Sequence, residues 1–176
     1  MSDKKSLFMP IIVLVSICLV ISSALALTNS VTEPIIVAAE QAAAEAARAE
    51  VLPGGTGFTK MDVTGLPASV TEVYAPADNS GYVMMLTTKG FGGKISMILG
   101  MDTEGVITGV KVLKHAETQG IGTKVMDAPE FAHQFLGKGE ALDGINTISG
   151  ATISSKAFIN GVKPAFEAYK VLKEAA

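Results

Sequence analysis

From Phe8 to Leu27 the chain has no polar rhythm; about twenty residues pass without a charge. At about 1.5 Å of rise per residue, a helix of that length crosses the hydrocarbon of a bilayer. Lys4 and Lys5 stand just before it. Basic flanks stay on the cytoplasmic side, so the pattern predicts a cytoplasmic tail over 1–7, a transmembrane anchor over 8–28, and an exported remainder. Cys18 lies inside the span and reads as a packed apolar residue. Ile17 before it is too bulky for a lipoprotein attachment site. Ala24-Leu25-Ala26 loosely fits a small-x-small cleavage pattern, the mark of a removable export signal. The length of the apolar run favours the anchor, and both readings export the rest.

The pattern then changes. Glu33 to Leu52 is rich in Ala, with Glu40, Glu45, Arg48 and Glu50 as a solvated face. Pro34 suits a first helical turn, and Gly54-Gly55 stops the helix. Ala-rich helices bury little, so the segment reads as a juxtamembrane spacer, with contact to a partner helix as the alternative. Pro53-Gly54-Gly55-Thr56-Gly57 reads as a hinge. Residues 29–57 thus form a stalk and hinge, and 58–176 form the domain.

Within the domain the period shortens. Val70–Tyr74, Tyr82–Lys89, Ile95–Met101 and Val106–Leu113 read as strands. Asn79-Ser80-Gly81, Gly90–Gly93 and Asp102–Gly105 supply the turns between them. Pro129–Leu136 reads as a short helix. From about Ser154, the residues Phe158, Val162, Phe166, Tyr169 and Leu172 fall on one face of a long amphipathic helix. Lys170 and Lys173 lie near its C-terminus, where the helix dipole favours cations. Pro164 is expected to kink or break it. Strands packed with helices, without regular βαβ alternation, give an α+β fold: a small antiparallel sheet packed with helices, plus the one N-terminal transmembrane helix.

Composition narrows the chemistry. The formal net charge is −3, from 14 basic and 17 acidic residues, with no basic stripe for nucleic acid. One cysteine and two histidines, His115 and His133, exclude an internal disulfide and give no basis for an Fe–S or zinc site. Met84, Met85 and Met97 read as core.

The run from Asp143 to Thr152 is different. Ser149, Gly150 and Ala151 leave the backbone open to a bulky group just before the last helix. Its free N–H groups and dipole favour a phosphate there. Thr152 adds a hydroxyl, which can cap the helix, hydrogen-bond a phosphate or be esterified by one. On residue chemistry alone, a capping hydroxyl is the simpler reading.

Asp143-Gly144 followed by Ser149-Gly150-Ala151-Thr152 resembles the flavinylation motif of the FMN-binding domain family. Gly90-Phe91-Gly92-Gly93 is similar to that family's G-aromatic-G-G turn. His115-Ala116-Glu117-Thr118-Gln119-Gly120-Ile121-Gly122 resembles its H-x-E-T-P-G-hydrophobic-G loop, with Gln119 in place of the proline. Phe131 to Phe135 matches its short aromatic segment. The resemblance covers most of the chain from Val70 onward, in order. It implies FMN joined by a phosphoester to Thr152, installed by a separate flavin transferase from FAD with a divalent metal. It places Ser149, Gly150 and Ala151 at the phosphate end and makes Asp143 part of what the transferase recognises. Gly92, Gly93, His115, Glu117 and Thr118 are then expected near the flavin.

For His115 a hydrogen-bonded structural role is the competing reading, and Glu117 taken alone reads as a solvated charge. The tail, span, stalk and single domain resemble the G subunits of Rnf-type ferredoxin:NAD oxidoreductase complexes, which couple electron flow to sodium-ion or proton movement. That implies neighbouring membrane subunits as partners and no substrate turnover by this chain alone. The related C subunits of sodium-translocating NADH:quinone oxidoreductases are usually longer. An exported sensory or structural domain of the same fold is a further alternative.

Overall fold

The computed structural model describes residues 3–175. The chain divides into two compact units, one up to Ala42 and one from Ala43 onward. Helix α1 (Asp3–Val51) supplies the first unit and the opening turns of the second. It is long and apolar enough to cross a membrane, and Leu14, Leu19 and Val20 on it are exposed, as lipid-facing side chains are. The helix does not restart at Pro34 but runs through it. Pro34 has no N–H to offer the Ser30 carbonyl, so one helical bond is missing there.

The second unit is built on a five-stranded antiparallel sheet in the order β1-β2-β3-β4-β5. Its strands are β1 (Thr59–Met61), β2 (Val70–Ala75), β3 (Gly81–Lys89), β4 (Lys94–Asp102) and β5 (Ile107–His115). All strands expected from the alternation form, within one or two residues at each end. Strand β1 has no counterpart among them; at three residues it is too short to show a period. Helices α2 (Thr123–Met126), α3 (Pro129–His133) and α4 (Thr152–Ala175) complete the unit. The α+β fold with one apolar N-terminal helix is thus present as expected.

Alternation decides which side chains face which layer. Met84 and Leu86 on β3, with Met97 and Leu99 on β4, lie in the main core with Phe158, Val162 and Leu172 of α4. Each such side chain contributes roughly 1.5–3 kcal/mol on full burial. Phe158 also meets Phe131 and Phe135 at ring-centroid distances of 5.3 and 5.1 Å, which ties α3 to α4. Of the kink or break expected at Pro164, the break does not occur, and helix α4 runs through it. Its buried face continues on both sides of the proline, with Val162 and Ala165 both fully buried, so packing outweighs the one lost bond.

The opposite face of the sheet carries the main departure from expectation. Val83 and Ile98 point there and form a second core with Ala47, Val51 and Leu52. The end of the Ala-rich segment is therefore part of the globular unit, and the Gly-rich stretch Pro53–Gly57 lies inside it. The small side chains that suggested a spacer permit close approach. Gly100 and Gly109 face each other across β4 and β5, and a Cβ on Gly109 would lie 2.6 Å from the Val51 Cα.

Candidate functional site

Helix α4 is launched by a turn over Ile148–Ala151. The Ala151 N–H donates to the Ile148 carbonyl at 3.0 Å. Gly150, third in that turn, has φ +78°, the left-handed region a type II turn demands there. Ser155 locks the turn to the helix: its Oγ donates to the Ala151 carbonyl at 2.9 Å and accepts from the Ile148 N–H at 3.1 Å. The first bond of α4 is Ser155 N–H to the Ala151 carbonyl at 2.9 Å. The N–H groups just before it have no intrahelical acceptor.

This arrangement decides how Thr152 is presented. Ala151 is buried at 3 % exposure, while Thr152, the first residue of α4, is exposed. Its hydroxyl has no hydrogen-bond partner among the described residues. The capping reading is therefore corrected. Ser155 does the local hydrogen bonding, and the Thr152 hydroxyl stands free.

Thr152 lies on a cleft of about 360 Å³, lined by Phe91, Ile121, Gly150, Ala151, Thr152, Ile153 and Ser154. Its walls come from the β3–β4 turn, the loop after β5, and the first turn of α4. Phe91, Ile121 and Ile153 are 70 %, 52 % and 62 % exposed. The only other exposed large apolar side chain in the second unit, among the described residues, is Leu136, at 45 %. Three of these four thus converge on one cleft. Side chains that large stay in water at a cost.

Glu117 sits behind the cleft and is not a solvated charge. It is buried, and accepts from the Gly92 N–H at 2.9 Å and from Ser154 Oγ. Gly92 and Gly93 pack on Ala116, with no room for a Cβ at either position. His115 is held structurally. Its Nδ1 accepts from the Glu117 N–H at 3.2 Å, so in the neutral ring Nε2 carries the hydrogen toward Asp127 Oδ1 at 3.0 Å. The Thr118 carbonyl accepts from the N–H groups of Ile121 and Gly122 and shapes the loop before α2. Asp143 and Ser149 lie on exposed turns.

Among the residues expected from sequence, Gly150, Ala151 and Thr152 line the cleft, and Gly92 and Glu117 brace it. Gly93, His115, Thr118, Ser149 and Asp143 do not line it. Phe91, Ile121, Ile153 and Ser154 also line the cleft, and the sequence does not single them out as site residues. An aromatic in a four-residue glycine turn was the available clue for Phe91; Ile153 and Ser154 carried none, since their roles depend on the rotation of α4.

Residues 90–167 match the FMN-binding domain family. The G subunit of the Na(+)-translocating ferredoxin:NAD(+) oxidoreductase complex of Acetobacterium woodii is 32 % identical over 200 residues, covering 98 % of this chain and 96 % of that one. The G subunit of the ion-translocating oxidoreductase complex of Methanosarcina acetivorans is 32 % identical over 184 residues, covering 95 % and 96 %. The crystal structure of Shewanella oneidensis NqrC aligns at a TM-score of 0.48 and 21 % identity, over 67 % of this chain and 70 % of that one. Near-end-to-end similarity at this identity means that the chain belongs to the family of G subunits of Rnf-type ion-translocating oxidoreductase complexes, with a domain of the FMN-binding family at its C-terminal end.

Proposed function

We propose that this chain is a membrane-anchored electron carrier of an Rnf-type complex, with FMN joined by a phosphoester to Thr152. The observation that carries the reading is the free Thr152 hydroxyl on a cleft walled by Phe91, Ile121 and Ile153. A flavin has one flat apolar end and one anionic end. The apolar walls suit the ring, and the start of α4 suits the phosphate. The first turn of α4 has no acidic residue to repel it.

Attachment is a phosphoryl-type transfer on a side chain that is already open to another protein. Thr152 Oγ forms a bond to the flavin-side phosphorus of FAD. The bond from that phosphorus to the bridging pyrophosphate oxygen breaks, AMP leaves, and the hydroxyl proton passes to a base of the transferase. The exposed turn that carries Asp143 supports a role for it in recognition by that transferase. When bound, FMN supplies the one- and two-electron chemistry; this chain supplies position, an apolar surround and a tether.

The Lys4–Lys5 flank puts the N-terminus in the cytoplasm and the domain on the outer face, with the apolar run of α1 from Phe8 as a single span. Outside the cytoplasm a lost flavin is not replaced, which is the advantage of a covalent bond. The other subunits of the complex would give and receive the electrons, coupled to sodium-ion or proton movement. Coverage of nearly the whole length of G subunits favours this over the usually longer C subunits.

Co-expression with an active flavin transferase, followed by intact mass, tests the reading. The wild type should gain the mass of FMN less one water, and Thr152→Ala should gain nothing. A wild type that stays unmodified, beside a control protein that is modified, would sink it.

A further inference from the structure

Glu117 is a carboxylate in a place where a carboxylate is costly. It is 9 % exposed, and burying a carboxyl group is costly unless hydrogen bonds replace its water. Here they do. The Gly92 N–H reaches Oε1 at 2.9 Å, and Ser154 Oγ reaches Oε2. Space for the carboxylate is made by glycine: a Cβ on Gly90 would overlap Oε1, and one on Gly122 would overlap Oε2. The two donors come from different segments. Gly92 belongs to the turn that carries Phe91, and Ser154 to the first turn of α4, which carries Thr152.

We propose that Glu117 is the positioning residue of the cleft: its buried carboxylate clamps the Phe91 turn to the first turn of α4 and so sets the gap between Phe91 and Thr152. With one hydrogen bond to each oxygen and 9 % exposure, Glu117 presents little surface to a ligand. It acts through Gly92 and Ser154 rather than by touching the flavin. This rests on the proposed function for what fills the cleft, but the clamp itself belongs to the protein alone.

The test uses the full chain with Glu117→Ala, which removes both arms, and Ser154→Ala, which removes one. Glu117→Gln keeps the length, an oxygen for Gly92 and a polar head for Ser154. In chain flavinylated at Thr152, both alanine variants should retain the FMN mass, with iodide quenching of flavin fluorescence several-fold above wild type. Glu117→Gln should return quenching close to wild type. In flavin-free chain, amide hydrogen exchange at Gly92 should accelerate in both alanine variants. Wild-type quenching and wild-type exchange in those variants would overturn the proposal. So would Glu117→Gln behaving like Glu117→Ala, which would make charge and not placement the role. If Glu117→Ala fails to fold, Ser154→Ala decides. If the wild type takes no FMN, the covalent reading falls alone, and exchange at Gly92 still decides the clamp.

Discussion

The Thr108 hydroxyl donates to the Val51 carbonyl across 2.6 Å, which fastens the last turn of α1 to β5. The approach is nearly backbone on backbone, because Gly109 beside it has no Cβ; one placed there would lie 2.6 Å from the Val51 Cα. Gly109→Ala must therefore push the last turn of α1 off the sheet. Overpacking of this kind costs about 1–3 kcal/mol. The thermal midpoint of the detergent-solubilised chain should fall accordingly, and an unchanged midpoint would show that the seat has slack.

The same hydrogen bond fixes where the globular unit begins. A soluble form starting at Ala43 keeps Ala47, Val51 and Leu52 over Val83 and Ile98. A form starting at Phe58 strips that face. Val51 and Leu52 are each worth roughly 1.5–3 kcal/mol of burial, a large part of the about 5–15 kcal/mol that holds a domain together. Urea unfolding should be cooperative for the longer form, and the shorter one should unfold at much lower urea or aggregate. Equal midpoints would mean that the helix end is merely resting on the sheet.

The contrast between Val51 and Phe158 shows what the sequence carries. Phe158 repeats with Val162, Phe166 and Leu172 at helical spacing, so its face was legible. Val51 ends a run whose charges, Glu45, Arg48 and Glu50, look like a solvated helix. Its burial depends on Gly100 and Gly109 facing each other across two strands, a pairing that exists only once the register is set. The site divides in the same way. On residue chemistry alone Thr152 reads as a capping hydroxyl; what singles it out is the resemblance of Ser149-Gly150-Ala151-Thr152 to a family motif, which is legible because its residues are contiguous. Glu117 was not legible as a clamp, because its partners lie 25 and 37 residues away.

Gly161 sets two effects against each other. Alanine in a helix interior gains about 1 kcal/mol over glycine. A Cβ at Gly161, however, would lie 2.7 Å from Thr88 Cγ2 and 3.0 Å from Thr88 Cβ. Thr88 is β-branched and cannot swing away cheaply, and overpacking costs about 1–3 kcal/mol. Gly161→Ala should therefore lower the thermal midpoint even though it improves helix propensity. A raised midpoint would show that α4 shifts freely along β3.

Lys60, Glu72 and Tyr74 predict a broad pH plateau. Lys60 Nζ and Tyr74 Oη both donate to Glu72, at 2.6 and 2.7 Å. The Lys60 hydrogen bond first, and the Tyr74 bond second, hold the Glu72 carboxyl below its ordinary 4.5. Lys60 is raised above its ordinary 10.5, chiefly by the hydrogen bond to Glu72. Tyr74 is raised above 10.0, by burial first and the bond to Glu72 second. A lowered carboxyl means that the native state binds its proton less readily. Its stabilisation is complete above about pH 4.5 and is lost as pH falls through the folded value. The raised groups lose theirs as pH climbs past about 10. Glu72→Gln should lower stability slightly near neutrality and flatten the acid limb; the effect is small because Lys60 is half exposed and Glu72 only partly buried, so solvent screens the pair. Thermal midpoints taken across the acid range check this, and an acid limb as steep as wild type would remove Glu72 as a contributor.

Phe91→Ala separates fold from cofactor. The side chain is 70 % exposed, so its removal should change stability by no more than about 0.5 kcal/mol. Thr152 is untouched, and its hydroxyl remains open, so the FMN mass should still appear in full. The flavin ring would lose one apolar wall, and each Å² of apolar surface returned to water costs about 25 cal/mol. Iodide should then quench the flavin more strongly than in wild type while the protein unfolds at the same temperature. Unchanged quenching with FMN attached would place the ring outside this cleft and leave Thr152 as a tether alone. A lost mass gain would instead make Phe91 part of the surface that the transferase reads.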